Sequence, residues 1–292
     1  MDIPRIQSLL GQGTSSFDVQ AAVERASSMS IRDIEEQKAE RYNASSGDLN
    51  QRDGYDCKLC MNRGDSMVIA EHMGGLVERF VECKCMNVRR SIKLMKESGL
   101  EAAIRDYTFK RFAVNEPWQK EMLETAQAYL KEGIPSGAWF YVGGAVGCGK
   151  THICTAICRT ALYGGSPVKY MTWPAEAAKI KAVVNDDEEY ARQTRKLKTV
   201  EVLYIDDLFK PVSAGGSVQP PTAADVRLAY EIVNYRYNAR LPTIFSAERY
   251  ISELMDIDEA TASRIYERCK GYVVSVKRDR SRNKRVTGEK VV

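Results

Sequence analysis

The chain has 292 residues, 44% of them hydrophobic and 28% charged, with a formal net charge of +4. That composition is globular and leaves room for one ordinary domain plus a smaller module; it excludes a disordered, collagen-like or coiled-coil chain. No apolar run approaches the roughly 18 residues of a spanning helix, and the start MDIPRIQSLL lacks the apolar stretch of an export signal. A cytoplasmic protein with reduced thiols and no membrane contact is expected.

Residues 1–54 read as helices and linker. Phe17, Val19, Ala22, Val23 and Ala26 recur at helical spacing, and Ser30 with Asp33 can cap a second helix from Ile31 to about Tyr42. The polar run NASSGDLNQRD over 43–53 predicts turns and a boundary near residue 54, because its short polar side chains compete with a helix ladder. This segment is acidic: residues 1–56 carry 6 basic and 10 acidic side chains, so the remainder carries a net +8. A basic body is compatible with nucleic acid, and equally with an ordinary solvated surface.

Residues 55–90 form a cysteine-rich stretch with too few apolar residues for a core of its own. Cys57-x-x-Cys60 and Cys83-x-Cys85 supply four thiolates, a complete tetrahedral set for zinc, and one ion closing that loop would provide the missing folding energy. His72 lies between the pairs and is a candidate substitute ligand, although a surface histidine is the simpler reading. The alternation of Leu76 to Glu82 suits one arm of a hairpin. Residues 91–116 read as a basic linker ending in the aromatic cluster Tyr107, Phe109 and Phe112.

From residue 117 to 292 the pattern alternates helix and apolar strand, which predicts an α/β fold: a parallel sheet with helices on both faces. The segment AWFYVGGAVGCGKT is a strand running into Gly144-x-x-x-x-Gly149-Lys150-Thr151. Its glycines, Gly147 included, let successive N–H groups curl around phosphate oxygens. Lys150 reaches the terminal phosphates of ATP, Thr151 can ligate magnesium, and the following helix adds its positive end. Cys148 lies inside this loop, where the N–H groups and Lys150 are expected to lower its thiol pKa.

The apolar strand VLYIDDL ends in two carboxylates. Asp206 is then placed beside the magnesium, and Asp207 is the candidate for orienting the attacking water. The later strand LPTIFS ends at Ser246, a candidate sensor of the terminal phosphate, with Glu248 as a second. Arg264 and Arg268 follow at i and i+4 on one helix face, a spacing that suits both a solvated face and a pair of arginines reaching a neighbouring subunit's phosphate.

These motifs in this order resemble the AAA+ ATPases, and more narrowly the bacterial and phage replicative helicase loaders of the DnaC/DnaI type within the IstB-like superfamily. The resemblance rests on GGAVGCGKT, LYIDDL, LPTIFSAE, DIDEATASRIYER, the upstream YTFKRF and the cysteine module, over about residues 55–278. It implies an AAA+ P-loop core without a C-terminal helical lid, preceded by a helical and zinc-binding module that grips a ring helicase. It also implies ATP-bound cores that self-associate and hold single-stranded DNA, with hydrolysis driving release and Arg268, supported by Arg264, acting in trans. The sequence departs from the family at Ser246-Ala247-Glu248, where Ser/Thr-Asn is frequent.

By the same resemblance, Arg192, Arg195, Lys196 and Lys198 are expected to contact the DNA strand. The tail from Val276, net +5 in seventeen residues, is of phosphate-binding composition and reads equally as a solvated extension. Two other functions fit the same motifs: a transposase-assisting ATPase of the IstB type, and a non-hydrolysing nucleotide switch whose zinc module binds a partner protein.

Overall fold

The structure is a computed structural model that describes residues 30–95, 101–210, 212–214 and 217–286. The chain divides into two compact units between Met86 and Asn87. The helix expected over residues 17–26 lies outside the described residues.

In the first unit, α1 (Ile31–Ala44) begins where its capping residues dictate: the Ser30 hydroxyl accepts from the Asp33 N–H, and the Asp33 carboxylate accepts from the Ser30 N–H. Within the polar run expected to be all turn, α2 (Leu49–Asp53) makes one helical turn, stopped by Gly54 at φ 75°. Strands β1 (Asp65–His72) and β2 (Gly75–Glu82) pair antiparallel from Asp65 opposite Glu82 to His72 opposite Gly75. The two-residue turn between them, Met73-Gly74, has positive φ at both positions, which matches the twist of a hairpin.

Helix α1 lies against this hairpin rather than in a separate segment. The Tyr42 hydroxyl donates to Asp65 at 2.8 Å and its ring meets Phe80 edge-on. The Asn43 amide both donates to the Met67 carbonyl (2.8 Å) and accepts from the Met67 N–H (2.9 Å), so one side chain satisfies one residue's main chain. The helix and the cysteine stretch thus belong to one compact unit, and the break falls after the cysteines instead of near residue 54.

Helix α3 (Cys85–Met95) begins with the last two residues of the first unit, and the second unit goes on with α4 (Glu101–Asp106) and α5 (Pro117–Ala128). Five parallel strands follow: β3 (Phe140–Gly144), β4 (Val168–Thr172), β5 (Val202–Asp206), then β8 (Thr243–Ala247) and β9 (Val273–Val276). Between β5 and β8 a small antiparallel pair intervenes, β6 (Val212–Ala214) with β7 (Ser217–Gln219). The spatial order of the main sheet is β4-β5-β8-β3-β9, which sets the strand carrying the phosphate loop between two neighbours.

Every residue of β3, β5 and β8 is buried, as expected for a parallel sheet covered on both sides. On one face Tyr141, Leu203, Ile205 and Phe245 join a core with Trp173 of α7 (Trp173–Ala182), Leu197 of α8 (Asp187–Thr199), Leu228 and Ile232 of α9 (Ala223–Asn238) and Leu254 of α10 (Ile251–Met255). Ile265 of α11 (Glu259–Arg268) completes it. The alternate residues, Phe140, Val142, Tyr204 and Ser246, point to the opposite face, which α6 (Lys150–Tyr163) covers with Ile153, Cys154 and Ile157. No helix among the described residues is long and apolar enough to cross a membrane.

Candidate functional site

The phosphate loop leaves β3 and enters α6 at Lys150. Gly144, Gly147 and Gly149 all have positive φ (110°, 69° and 93°), so the spacing legible in the sequence is a set of backbone conformations that side chains disfavour. A Cβ on Gly144 would strike the Val276 carbonyl, and one on Gly147 the Asn283 side chain. Lys150 is buried and donates to the carbonyls of Gly144 (3.1 Å) and Ala145 (2.6 Å), folded back on its own loop.

Parallel pairing brings the ends of β5 and β8 beside this loop. Asp206 is 4% exposed, and its two carboxylate oxygens lie 3.4 Å from the Thr151 hydroxyl, where one divalent ion would be shared. Tyr170 of β4 donates to the same carboxylate at 3.1 Å. Burial first, and then the Asp206 charge, push the Tyr170 phenol well up, so it stays protonated and a donor.

Ser246 is fully buried behind Asp206 and is not among the residues that line the cavity. Its hydroxyl donates to Asp206 and accepts from the Tyr204 hydroxyl (3.2 Å) and the Asp207 N–H (3.3 Å), which saturates it. The residue expected to sense a phosphate is thus engaged in holding the Asp206 carboxylate and the main chain of Asp207. Asp207 itself sits at φ 57° and faces the cavity, paired with Lys210 at 2.6 Å. That hydrogen bond raises the Lys210 pKa, and Glu248 stands 3.9 Å from the same ammonium.

The phosphate loop from Val146 to Thr151, with Asp207, Lys210 and Glu248, lines one end of a cavity of about 330 Å³. Its apolar wall comes from the YTFKRF segment: Tyr107 stacks on His152 at 4.7 Å between ring centres, and Phe112 meets that imidazole edge-on. His152 is held by the Thr108 carbonyl at 2.9 Å, and burial lowers its pKa, which keeps this wall neutral. An apolar, aromatic end and a polar phosphate-loop end are what a nucleotide's base and phosphates require.

Cys148 corrects an expectation. It is 2% exposed, and burial pushes its thiol pKa up despite the nearby Lys150, so the loop's positive field does not produce a reactive thiolate.

In the first unit, Cys57, Cys60, Cys83 and Cys85 bring their sulfurs within 4.8 Å of one another. The Cys57–Cys83 and Cys60–Cys85 separations are 3.9 and 3.6 Å, which bracket the roughly 3.8 Å edge of a tetrahedron with Zn–S bonds of about 2.3 Å. Burial raises the Cys60 thiol, but the Gly64 N–H and the neighbouring thiols outweigh it and leave it at about 7. His72 sits at the hairpin tip, opposite Gly75, and is not part of the cluster.

Arg264 and Arg268 are not among the residues that line the chain's own cavity. Both guanidinium groups lie over the Tyr237 ring, at 5.6 and 4.9 Å, and Arg268 donates to the Tyr237 carbonyl at 2.7 Å. Within the basic cluster on α8, Arg192 is paired with Glu189 and Lys198 with Glu231.

Sequence reasoning missed Lys210 and Tyr170, for which no motif exists; the aromatic cluster before Pro117 was noticed without its role as a cavity wall. No family model matches the sequence. The chain is 33% identical over 235 residues to the phage-like element PBSX protein XkdC of Bacillus subtilis (strain 168), covering 76% of this chain and 83% of XkdC. It is 24% identical over 163 residues to the replicative helicase loader DnaC of Escherichia coli (strain K12), covering 56% of this chain and 62% of DnaC. A crystal structure of the DnaC helicase loader has the same fold, with a TM-score of 0.50, 18% identity, and coverage of 60% of this chain and 98% of that one.

Proposed function

The chain belongs to the family of XkdC and of the DnaC-type AAA+ helicase loaders, and from that premise we propose that it is an ATP-dependent loader of a replicative ring helicase onto single-stranded DNA. The observation that carries the nucleotide part is the convergence of Thr151 and Asp206, 3.4 Å apart, at the mouth of a glycine-rich loop. When bound there, magnesium would neutralise phosphate charge and fix the terminal phosphate. Lys150 leaves the carbonyls of Gly144 and Ala145 for the phosphates. Ser246 and Tyr170 hold Asp206, and Asp207 orients the attacking water once it parts from Lys210.

The remaining assignments follow from the family and the site together. The first unit, with zinc on its four cysteines, grips the helicase. Cores that self-associate exchange Arg268, with Arg264 in support, and release follows hydrolysis. The α8 cluster contributes to DNA through Arg195 and Lys196, since its other two charges are paired within the chain.

ATP turnover measured with and without single-stranded DNA tests this reading. Turnover that rises with DNA and vanishes in Lys150→Ala supports it. Tight ATP binding with no turnover, even with DNA and helicase present, would favour a non-hydrolysing switch.

A further inference from the structure

The basic segment after β9 does not hang from the sheet. Its first anchor is Arg278, which donates to Glu253 (2.8 Å) and to the Glu248 carbonyl (2.7 Å) and lies 4.5 Å over the Tyr250 ring. Asp279 caps a single turn over Arg280–Arg282, and Arg282 then lies 5.4 Å over Trp118 of α5. The next residues touch the phosphate loop itself: Asn283 occupies the space a Cβ on Gly147 would need, and the Lys284 N–H donates to the Gly147 carbonyl at 3.1 Å. Because β9 is the edge strand beside β3, and the Ala145 N–H already donates to the Val276 carbonyl, the chain has a short path from the sheet onto the loop.

We infer that residues 276–286 are a strap of the nucleotide site whose Lys284 and Arg285 supply, within the same chain, two cations for a nucleotide's phosphate groups. Both line the cavity, where Lys150, Lys210, Lys284 and Arg285 face two carboxylates, Asp207 and Glu248. Four cations against two carboxylates leave the lining at a net +2, and without Lys284 and Arg285 it would be neutral. A surplus of that size matches a polyphosphate and has no use for a neutral ligand. Arg278 and Arg282, which composition assigned to a DNA-binding or solvated tail, are spent on fixing the strap.

The inference rests on the nucleotide reading, so its test must separate the two. Affinities of the full-length chain for the non-hydrolysable triphosphate AMPPNP and for AMP are measured by calorimetry, and for a single-stranded oligonucleotide by anisotropy without nucleotide. The proteins are wild type, Lys284→Ala/Arg285→Ala and the charge-keeping Lys284→Arg/Arg285→Lys. The strap predicts that AMPPNP affinity falls on the order of tenfold in the alanine variant, that AMP affinity falls much less, and that the charge-keeping variant recovers most of the loss. Equal losses for AMPPNP and AMP, unrepaired by the charge-keeping variant, would reduce the strap to a buttress of Gly147 and overturn the inference. So would AMPPNP affinity within about twofold of wild type, with or without a loss of oligonucleotide binding. A wild-type chain that binds no AMPPNP would overturn the nucleotide reading and the strap with it.

Discussion

Arg236 of α9 is fully buried and has no carboxylate partner among the described residues, and its replacement by methionine is the most informative stability test. Its guanidinium donates to the carbonyls of Leu197 (3.0 Å), Lys198 (3.1 Å) and Val200 (2.8 Å) through Nη1, to Glu201 (3.2 Å) and Pro242 (2.6 Å) through Nη2, and to the Thr243 hydroxyl (2.8 Å) through Nε. One side chain therefore ties the end of α8 to the starts of β5 and β8, the strands that deliver Asp206 and Ser246. Methionine keeps the aliphatic packing and removes every donor. The Pro242 carbonyl retains the Leu203 N–H, whereas Leu197 is buried and has no water to turn to.

Stranding the Leu197 carbonyl costs about 2–3 kcal/mol, and the carbonyls of residues 198, 200 and 201, nearer the surface, lose about 0.5 kcal/mol each as water replaces part of the bond. Relief from burying a charge, which already pulls the Arg236 pKa down to about 9, returns part of this. A net loss of about 2–4 kcal/mol lowers the melting temperature of a domain this size by roughly 5–15 °C. Circular dichroism melts of Arg236→Met and wild type measure it. Arg236→Lys should fall nearly as far, because three donors on one nitrogen cannot span both strands. A drop below about 2 °C for the methionine variant would refute the argument that these bonds hold the two strands.

Three further outcomes follow. Purified protein should carry one zinc per chain by metal analysis, and Cys83→Ala/Cys85→Ala should lose it along with the far-ultraviolet signature of the first unit; zinc unchanged in that variant would remove the assignment. Lys150→Ala should lose ATP binding, while Asp207→Asn keeps binding and loses turnover by on the order of a hundredfold or more; equal binding defects would mean Asp207 has another role. Arg268→Ala chains should bind ATP yet fail in DNA-stimulated hydrolysis, and mixing them with Lys150→Ala chains should restore activity, because one kind of junction then joins an intact loop to an intact arginine; a verified mixed assembly with no gain would count against action in trans.

What the sequence made legible was local. The spacing of Gly144, Gly147, Gly149, Lys150 and Thr151 encodes a run of backbone conformations and needs nothing from elsewhere, and Ser30 with Asp33 fixes a helix start within four residues. The cysteine pairs were legible because so short a stretch has few other ways to hold itself together. Illegible were the effects that depend on what packs on top. Cys148 shares its loop with a lysine, but burial decides its pKa. Ser246 lies one residue short of the end of its strand, and the neighbouring β5 turns its hydroxyl toward Asp206. The segment from Val276 carries the charge of a nucleic-acid tail, and only the position of β9 at the sheet edge reveals that two of its arginines serve as anchors. Arg236 has no sequence signature at all, since all but one of its partners are main-chain carbonyls, up to 39 residues away.

Assembly of a ring helicase on a closed circle of single-stranded DNA tests the central claim most directly, because a circle offers no end for a ring to thread. The cognate replicative helicase, captured from the native cell with this chain and identified by mass spectrometry, is incubated with the circle and ATP, and ring bound through a high-salt wash is quantified. The account predicts salt-resistant helicase only when the wild-type chain is present, and little of it with Lys150→Ala. Equal loading with and without the chain, or loading that Lys150→Ala supports as well as wild type, would contradict it.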